Sequence, residues 1–452
     1  VISTTSAWQT ANALMAKRPI YAMTISVAPG VTDPALPVTY TTYDLVRAGI
    51  TGTLPTYYPW LKTPQGATQA IDVVNGTSSI GELQCEVVEQ GGAILALMTA
   101  HALEGSTITL SVGYPGIAWT DFTVLHTYVL YKIIPTAGYT SWQFVARDPQ
   151  WLLKQTIYNH PENGELLSTD NPWYLCGTPA EIVQAIALFA LGLPASFIDR
   201  ATLAQLDTPG EGLYSGARPF QFALTESFEA KQFIETEVLK PSLMYPVVNN
   251  VGQYSLRAPR PFAAGPTPVF AFTQDNMMVL PAYDRLPVYN EAAWSFDYDG
   301  SQFQQDFTYV DAVSLSLFGR GNQFSMQSKG LHTELGACWW SQWVSERLFR
   351  RFGGTPSGLR GGAVALDLEA FLMTLPVWVG DYVSVTHPLM PDVVHGGTGA
   401  TRIYEVIDRE PDYANGKMKY KVLDTGLSDQ AAAGTWATGS ANPFVIGTTD
   451  VY

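Results

Sequence analysis

The sequence predicts a mainly β fold with α+β insertions and extended termini, and three observations carry that reading. Apolar residues alternate with polar ones at a period of two in well-separated stretches, as in Leu83, Cys85 and Val87 or Ile108, Leu110 and Val112. Turn sequences rich in glycine, such as Gly113-Tyr114-Pro115-Gly116 and Asn415-Gly416, punctuate these stretches. Between them lies a region where helix start and stop signals replace alternation.

The elements follow in order. Residues 1–65 open with a helix over Ser6–Lys17 that places Trp8, Ala11, Leu14 and Met15 on one face, and continue as a proline-rich extended arm. Residues 66–160 form the first β domain, a small barrel or sandwich. Its strands include Leu83–Val87, Val124–Ile134 and Trp142–Ala146, with a short apolar connector around Ala93–Met98. At its centre is the hairpin Leu103–Phe122, with Ile108, Leu110 and Val112 on one face and Thr107, Thr109 and Ser111 on the other.

Residues 161–274 form an α/β insertion. Thr178-Pro179-Ala180-Glu181 combines an N-cap, a proline at the first helical position and a capping-box glutamate. Ile182, Val183, Ile186 and Phe189 form that helix's buried stripe. A second helix over Ser227–Leu239 buries Phe228, Phe233, Ile234 and Val238 and stops before Pro241. A strand at Tyr254–Arg257 follows. Residues 275–428 return to strands, with an inserted helix near Leu335–Phe352 and a hairpin pairing Ile403–Asp408 with Met418–Leu423. Arg347, Arg350 and Arg351 suit the negative end of that helix. Residues 429–452, rich in Ala, Gly and Thr, form an extended tail.

Composition narrows the function. Charged residues make up 14% of the 452, against roughly 25% in an average soluble domain. With 12 Trp, 23 Tyr and 20 Phe, that predicts a surface facing other protein or polar saccharide. A net charge of −15 excludes a nucleic-acid clamp, yet leaves room for DNA sliding through a pore. The three widely spaced cysteines, Cys85, Cys176 and Cys338, fit reduced thiols in a protein made in a cytosol. No run of apolar residues is long enough to span a bilayer, and the N-terminus carries no secretory signal pattern.

The chemistry-bearing motifs each have a bland counterpart. Asp424-Thr425-Gly426 has the form of an aspartic-protease loop but lacks the second loop that the shared proton requires. His387, His395, Asp381 and Asp392 match no zinc spacing, and loop histidines bonded to backbone explain them. Glu226, Glu229, Glu235 and Glu237 are read as the solvated face of a helix rather than a glycosidase pair. Trp339, Trp340 and Trp343 sit on one helix, where Trp339 and Trp343 share a face and are read as core or interface anchors. Phosphate loops, dinucleotide fingerprints, zincin helices and nucleophile elbows are absent from the sequence.

The order of segments resembles the bacteriophage tail hub (baseplate or tail-tip hub) protein family. The resemblance rests on Gly81–Val87, Leu103-Glu104-Gly105, Gly113–Gly116, Asp121-Phe122, Phe144–Asp148 and Leu152–Tyr158. It continues through Thr178–Val183, Phe228–Leu239, Gly252–Arg257, Gly380-Asp381-Tyr382-Val383 and Tyr404–Asp408, running to Leu423-Asp424-Thr425. It implies two small β-barrel domains of tail-hub type per chain and a homotrimer whose six barrels ring the tail axis. Its expected partners are copies of itself, a distal tail or tail-tube protein, a tape-measure protein and a spike or fibre protein, with DNA only in transient passage. The implied place is the distal end of a virion tail, after synthesis in the host cytoplasm. The protein is then a structural subunit and not an enzyme, with no catalytic, cofactor-binding or metal residues expected. A carbohydrate- or receptor-binding tail protein is the alternative, and a cell-wall hydrolase a third.

Overall fold

A computed structural model describes residues 2–13, 18–26, 36–206, 218–258, 267–319, 321–353, 363–392 and 397–424. Up to Arg147 it holds β1 (Ile20–Ser26), β2 (Val38–Thr41), β3 (Tyr57–Tyr58), β4 (Gln69–Asp72), β5 (Thr77–Ser78), β6 (Glu82–Val88), β7 (Thr107–Gly113), β8 (Thr123–Pro135) and β9 (Ser141–Arg147). Seven of these form one sheet in the order β3-β2-β1-β7-β8-β9-β6. The chain leaving β3 then closes it. Leu61 N donates to Thr41 O at 3.1 Å, while Lys62 N donates to Glu86 O at 2.8 Å and Val88 N to Trp60 O at 2.9 Å. Both edges of the sheet are thereby satisfied, which is what a barrel achieves.

Ile108, Leu110 and Val112 point inward from β7 and are buried, as their alternation predicts. The strand's last residue, Gly113, packs against Phe122 so closely that a Cβ there would lie 2.3 Å from the ring. Helix α1 (Ser6–Ala13) lies against the barrel with Trp8 and Ala11 buried, and Trp8 Nε1 donates to Val112 O at 3.2 Å. Leu14 and Met15 lie outside the described residues. Residues 20–26 and 36–58 correct the expectation of an arm: β1 pairs with β7 from Ile20↔Gly113 to Ser26↔Thr107, and β2 pairs with β1. Prolines flank these strands rather than interrupt their ladders, so they cost no pairing. The Ala93–Met98 connector is a helix, α2 (Ala93–Ala100).

The insertion carries the short strands β10 (Thr156–Ile157), β11 (Trp173–Gly177), β12 (Phe220–Leu224), β13 (Phe228–Glu229), β14 (Tyr245–Val248) and β15 (Tyr254–Arg257). Helix α3 (Pro179–Gln184) has the full capping box: Glu181 N donates to Thr178 Oγ1 at 3.2 Å and Thr178 N to Glu181 Oε2 at 2.9 Å. Ile182, Val183 and Ile186 are buried, but Phe189 is 73% exposed. The turn over Ala185–Ala190 is π-helical, with Leu191 N bonded to Ile186 O, and the wider turn rotates Phe189 off the buried stripe. After α4 (Arg200–Leu206), the second expected helix begins as α5 (Ala230–Phe233) and continues through a π turn to Leu239. It does not stop at Pro241, which sits inside a closing 3₁₀ turn over Lys240–Ser242.

The second large sheet runs β16 (Phe270–Phe272), β22, β23, β24, β21, β17 (Ala282–Arg285). Between β17 and β21 (Val364–Phe371) the chain makes a separate three-stranded sheet from β18 (Tyr289–Tyr298), β19 (Phe303–Val310) and β20 (Asn322–Gln327). Helices α6 (Ala312–Phe318) and α7 (Ala337–Phe352) accompany it. The large sheet is completed by β22 (Tyr382–Val385), β23 (Arg402–Asp412) and β24 (Lys417–Asp424), with Asn415-Gly416 at the hairpin turn as expected. After β16 the chain crosses to the opposite edge, where Met278 N donates to Glu369 O at 2.7 Å, so this sheet also closes on itself. Strand β4 pairs with β23 through Ala70↔Asp408 and Gln69↔Arg409. Residues 69–72, expected in the first β domain, therefore extend the second sheet. The described residues are mainly β, with two short helices, α1 and α2, on the first barrel and the remaining helices in the insertions.

Candidate functional site

The most densely built polar feature is the joint where the two closed sheets and the insertions meet. Strand β23 supplies most of it. A bulge between Val406 and Asp408 resets side-chain parity along the strand. Arg402 before the bulge and Arg409 after it are therefore both buried, and Glu405, of opposite parity to Arg402, is buried on the other face.

Glu405 is fully buried and accepts hydrogen bonds from Arg351 at the end of α7 and from Tyr245 on β14. Three separate segments thus meet on one carboxylate. Burial pulls the Arg351 guanidinium down, but Glu405 and Tyr245 outweigh it and leave it above its ordinary value. Burial, reinforced by the Glu405 charge, pushes the Tyr245 hydroxyl well up. Arg351 therefore serves this pair rather than the helix dipole alone. Nearby, Arg402 Nε donates to Asp424 Oδ2 at 2.6 Å, and its Nη1 lies 3.8 Å from Asp392 Oδ1.

Where the barrels touch, His126 of β8 lies 3.2 Å from Asp148 Oδ2 and 3.2 Å from Gln69 Nε2 of β4. Its ring meets Tyr128 edge-on at 4.4 Å and approaches Trp378 at 5.1 Å. Trp378 Nε1 donates to Val248 O at 2.8 Å, and the Arg409 guanidinium sits 4.6 Å over the Trp378 ring. Arg409 Nε also donates to Val377 O at 3.1 Å. Tyr21 of the first barrel packs on Tyr413 of the β23–β24 turn at 4.9 Å. His126 and Asp148 have the pairing of an acid–base dyad but are 2% and 1% exposed, so no substrate reaches them. They link the two sheets at the joint, with His126 Nδ1 and Gln69 Oε1 buried without a hydrogen-bond partner.

The weighed motifs scatter. Asp424 is bound by Arg402, and Thr425-Gly426 lies outside the described residues. His387 Nδ1 accepts from Leu389 N at 3.2 Å, Asp381 accepts from Trp378 N, and His395 lies outside the described residues. Glu235 accepts from Ser78 N and Lys231, while Glu237 accepts from Lys329 N at 2.8 Å. Burial pushes the Glu237 carboxyl up. Glu226 is exposed between β12 and β13, so the four glutamates do not converge. Among the described residues, no group of three or more His, Cys, Asp or Glu is placed to hold a metal ion. All three cysteines are free thiols, and burial pushes that of Cys85 up to about 12. No helix among the described residues is long and apolar enough to cross a membrane.

Trp340, not Trp339, is the core anchor of α7: it is fully buried and its Nε1 donates to Pro241 O at 2.9 Å. Trp339 is exposed, stacked on Trp343 at 5.9 Å, with Arg347 over the Trp343 ring at 3.8 Å. A cleft of about 900 Å³ opens between β1, β2 and the β23–β24 turn, lined by Arg18, Tyr43, Arg47, Lys62 and Asn415. Arg47 lies by Asp44 and Lys62 is bound to Glu86, so two of its cations are already neutralised.

The sequence reading missed the joint. Its one visible signal is the charge interrupting apolar alternation in β23, at Glu405 between Tyr404 and Val406.

No family model matches the chain, and no curated protein matches it. Among solved structures it is similar to the tail protein from Neisseria meningitidis, at 9% identity and a TM-score of 0.47, covering 91% of this chain and 99% of that one. It is similar to the 43 kDa tail protein of prophage MuSo2 from Shewanella oneidensis, at 10% identity and a TM-score of 0.43, over 90% and 99% of the two chains. It is also similar to a prophage tail protein from Listeria monocytogenes, at 11% identity and a TM-score of 0.41, over 83% and 93%. All three of these structures are tail proteins, two of them from prophages.

Proposed function

We propose that the chain is a structural subunit of a phage tail, a hub at the tail's distal end that acts by assembly and not by catalysis. The observation that carries this reading is the pairing of two closed β-sheets in one chain, fixed to one another by a buried polar joint. Three such chains would place six barrels around one axis and match a sixfold tube above. The joint keeps the two barrels of each chain at one fixed angle, as ring closure demands. A net charge of −15 and a charged fraction of 14% fit a ring that seals against protein and lets DNA slide past. Its partners on this reading are copies of itself, a tail-tube or distal tail protein, a tape-measure protein and a spike or fibre protein.

Two measurements test this. Native mass spectrometry of the purified chain should give three times 49.3 kDa, and averaged electron micrographs should show a ring with six lobes. Immunogold labelling of intact particles should place the chain at the far end of the tail. A stable monomer together with unlabelled particles would refute the proposal.

A further inference from the structure

The chain is acidic, yet one of its clefts is not. Asp and Glu number 40 against 25 Lys and Arg. Among the described residues, however, the cleft between β1, β2 and the β23–β24 turn is lined by three cations, Arg18, Arg47 and Lys62, and by no carboxylate. A recess lined by one sign of charge concentrates the field and selects the opposite sign. Lys62 is held by Glu86. Arg18 is exposed and has no ion-pair partner among the described residues. The Arg47 side chain is 80% exposed and lies 3.9 Å from Asp44, too far for a hydrogen bond. Asp44 accepts instead from Val46 N, Arg47 N and Tyr57 Oη. It offsets the charge of Arg47 without taking its guanidinium donors. Two guanidinium groups on one cleft thus keep donors for further carboxylates.

A matching projection stands on the insertion. Tyr158–Leu167 is a tight hairpin: Asn159 bridges Leu166, His160 N donates to Glu165 O at 2.8 Å, and Leu167 N donates to Tyr158 O at 3.0 Å. At its tip Glu162 N donates to His160 Nδ1 and Glu165 N to Asn163 Oδ1, which fixes the turn. Both glutamates are exposed, and among the described residues their carboxylates have no ion-pair partner. Tyr158 and Leu166 beside them are 59% and 70% exposed. Two anions and two apolar side chains are presented on a preformed loop, so docking it costs little further ordering. The cleft offers the counterparts: Arg18 and Arg47 for the glutamates, Tyr43 and Pro115 for the apolar pair.

The two features belong to different parts of one chain. The hairpin follows β10, which pairs with β13 in the insertion, whereas the cleft lies on the first barrel. A contact between two different patches is heterologous, and repeated from copy to copy it can close into a ring.

We propose that the Tyr158–Leu167 hairpin of one copy docks in the cationic cleft of the next, with Glu162 and Glu165 pairing with Arg18 and Arg47. This rests on the ring reading and supplies its subunit contact. It also accounts for association between copies that each carry a charge of −15, because the cleft reverses the sign locally where they meet.

Charge reversal in the full chain tests it, with the assembly midpoint read by sedimentation over a dilution series. E162K/E165K and R18E/R47E each set like charges against each other and should raise the midpoint concentration at least about tenfold. All four changes in one chain restore opposite signs and should bring the midpoint back to within about threefold of wild type. The four side chains are exposed, so circular dichroism should match wild type in every variant. A trimer with an unchanged midpoint in either double variant would overturn the docking and leave the ring standing. A combined variant that does not recover would overturn it as well. If the wild type assembles in another number, the ring reading fails, while recovery in the combined variant still supports the contact. A wild type that stays monomeric overturns both.

Discussion

Replacing Glu405 by glutamine should be among the most damaging single changes in the molecule, and the structure sets its size. Glu405 is fully buried and holds Arg351 and Tyr245, which come from a different helix and a different strand. Without the carboxylate charge, the Arg351 guanidinium stays in the interior with no compensating anion. Breaking one half of a buried ion pair costs about 3–5 kcal/mol. At about 2–4 °C per kcal/mol for a cooperative unit of 150–250 residues, Tm should fall by at least about 6 °C. The R351M variant should lose a similar amount, since it strands the carboxylate. The double variant R351M/E405Q removes both charges and should recover to within about 1–2 kcal/mol of wild type. Calorimetry on the four proteins measures the coupling directly. If the losses of the two single variants simply add in the double variant, Arg351 and Glu405 are not acting as a pair, and the account of the joint is wrong.

Three further changes probe other elements. Burial pushes the Asp408 carboxyl up, and its Oδ1 finds no hydrogen-bond partner. The folded state therefore favours the protonated form, and ionisation removes stability as pH rises through the raised value. D408N should be more stable than wild type at pH 7, with the gap closing as pH falls through the carboxylate range, read by Tm across a pH series. T178A removes the α3 capping box and should cost about 1 kcal/mol in chemical denaturation, with T178S restoring most of it. G66A would place a Cβ 2.2 Å from Pro411 O, prising the β23 hairpin from the first barrel, and should cost about 1–3 kcal/mol by the same assay.

Local physics made much of the fold legible. Alternation in β6 and β7 needs only the pleat to assign Leu83, Cys85, Ile108 and Leu110 inward, and all four are buried. The capping box at Thr178 and the Asn415-Gly416 turn are likewise interactions among residues within three or four positions of each other. Phe189 failed because a π turn changes the angular spacing that the helical pattern assumes. The proline-flanked segments 20–26 and 36–58 looked like an arm because pairing with β7 is decided some 85 residues downstream, as in Ile25↔Ile108.

The joint lay beyond the sequence for the same reason. Glu405 and Tyr245 are separated by 160 positions, His126 and Gln69 by 57, and no periodicity relates them. The sequence by itself determined strand, turn and cap wherever the deciding contacts are local. Only the tertiary structure decided which strands close each sheet and which charges are buried together. Those outcomes depend on surfaces that meet only after the chain has folded.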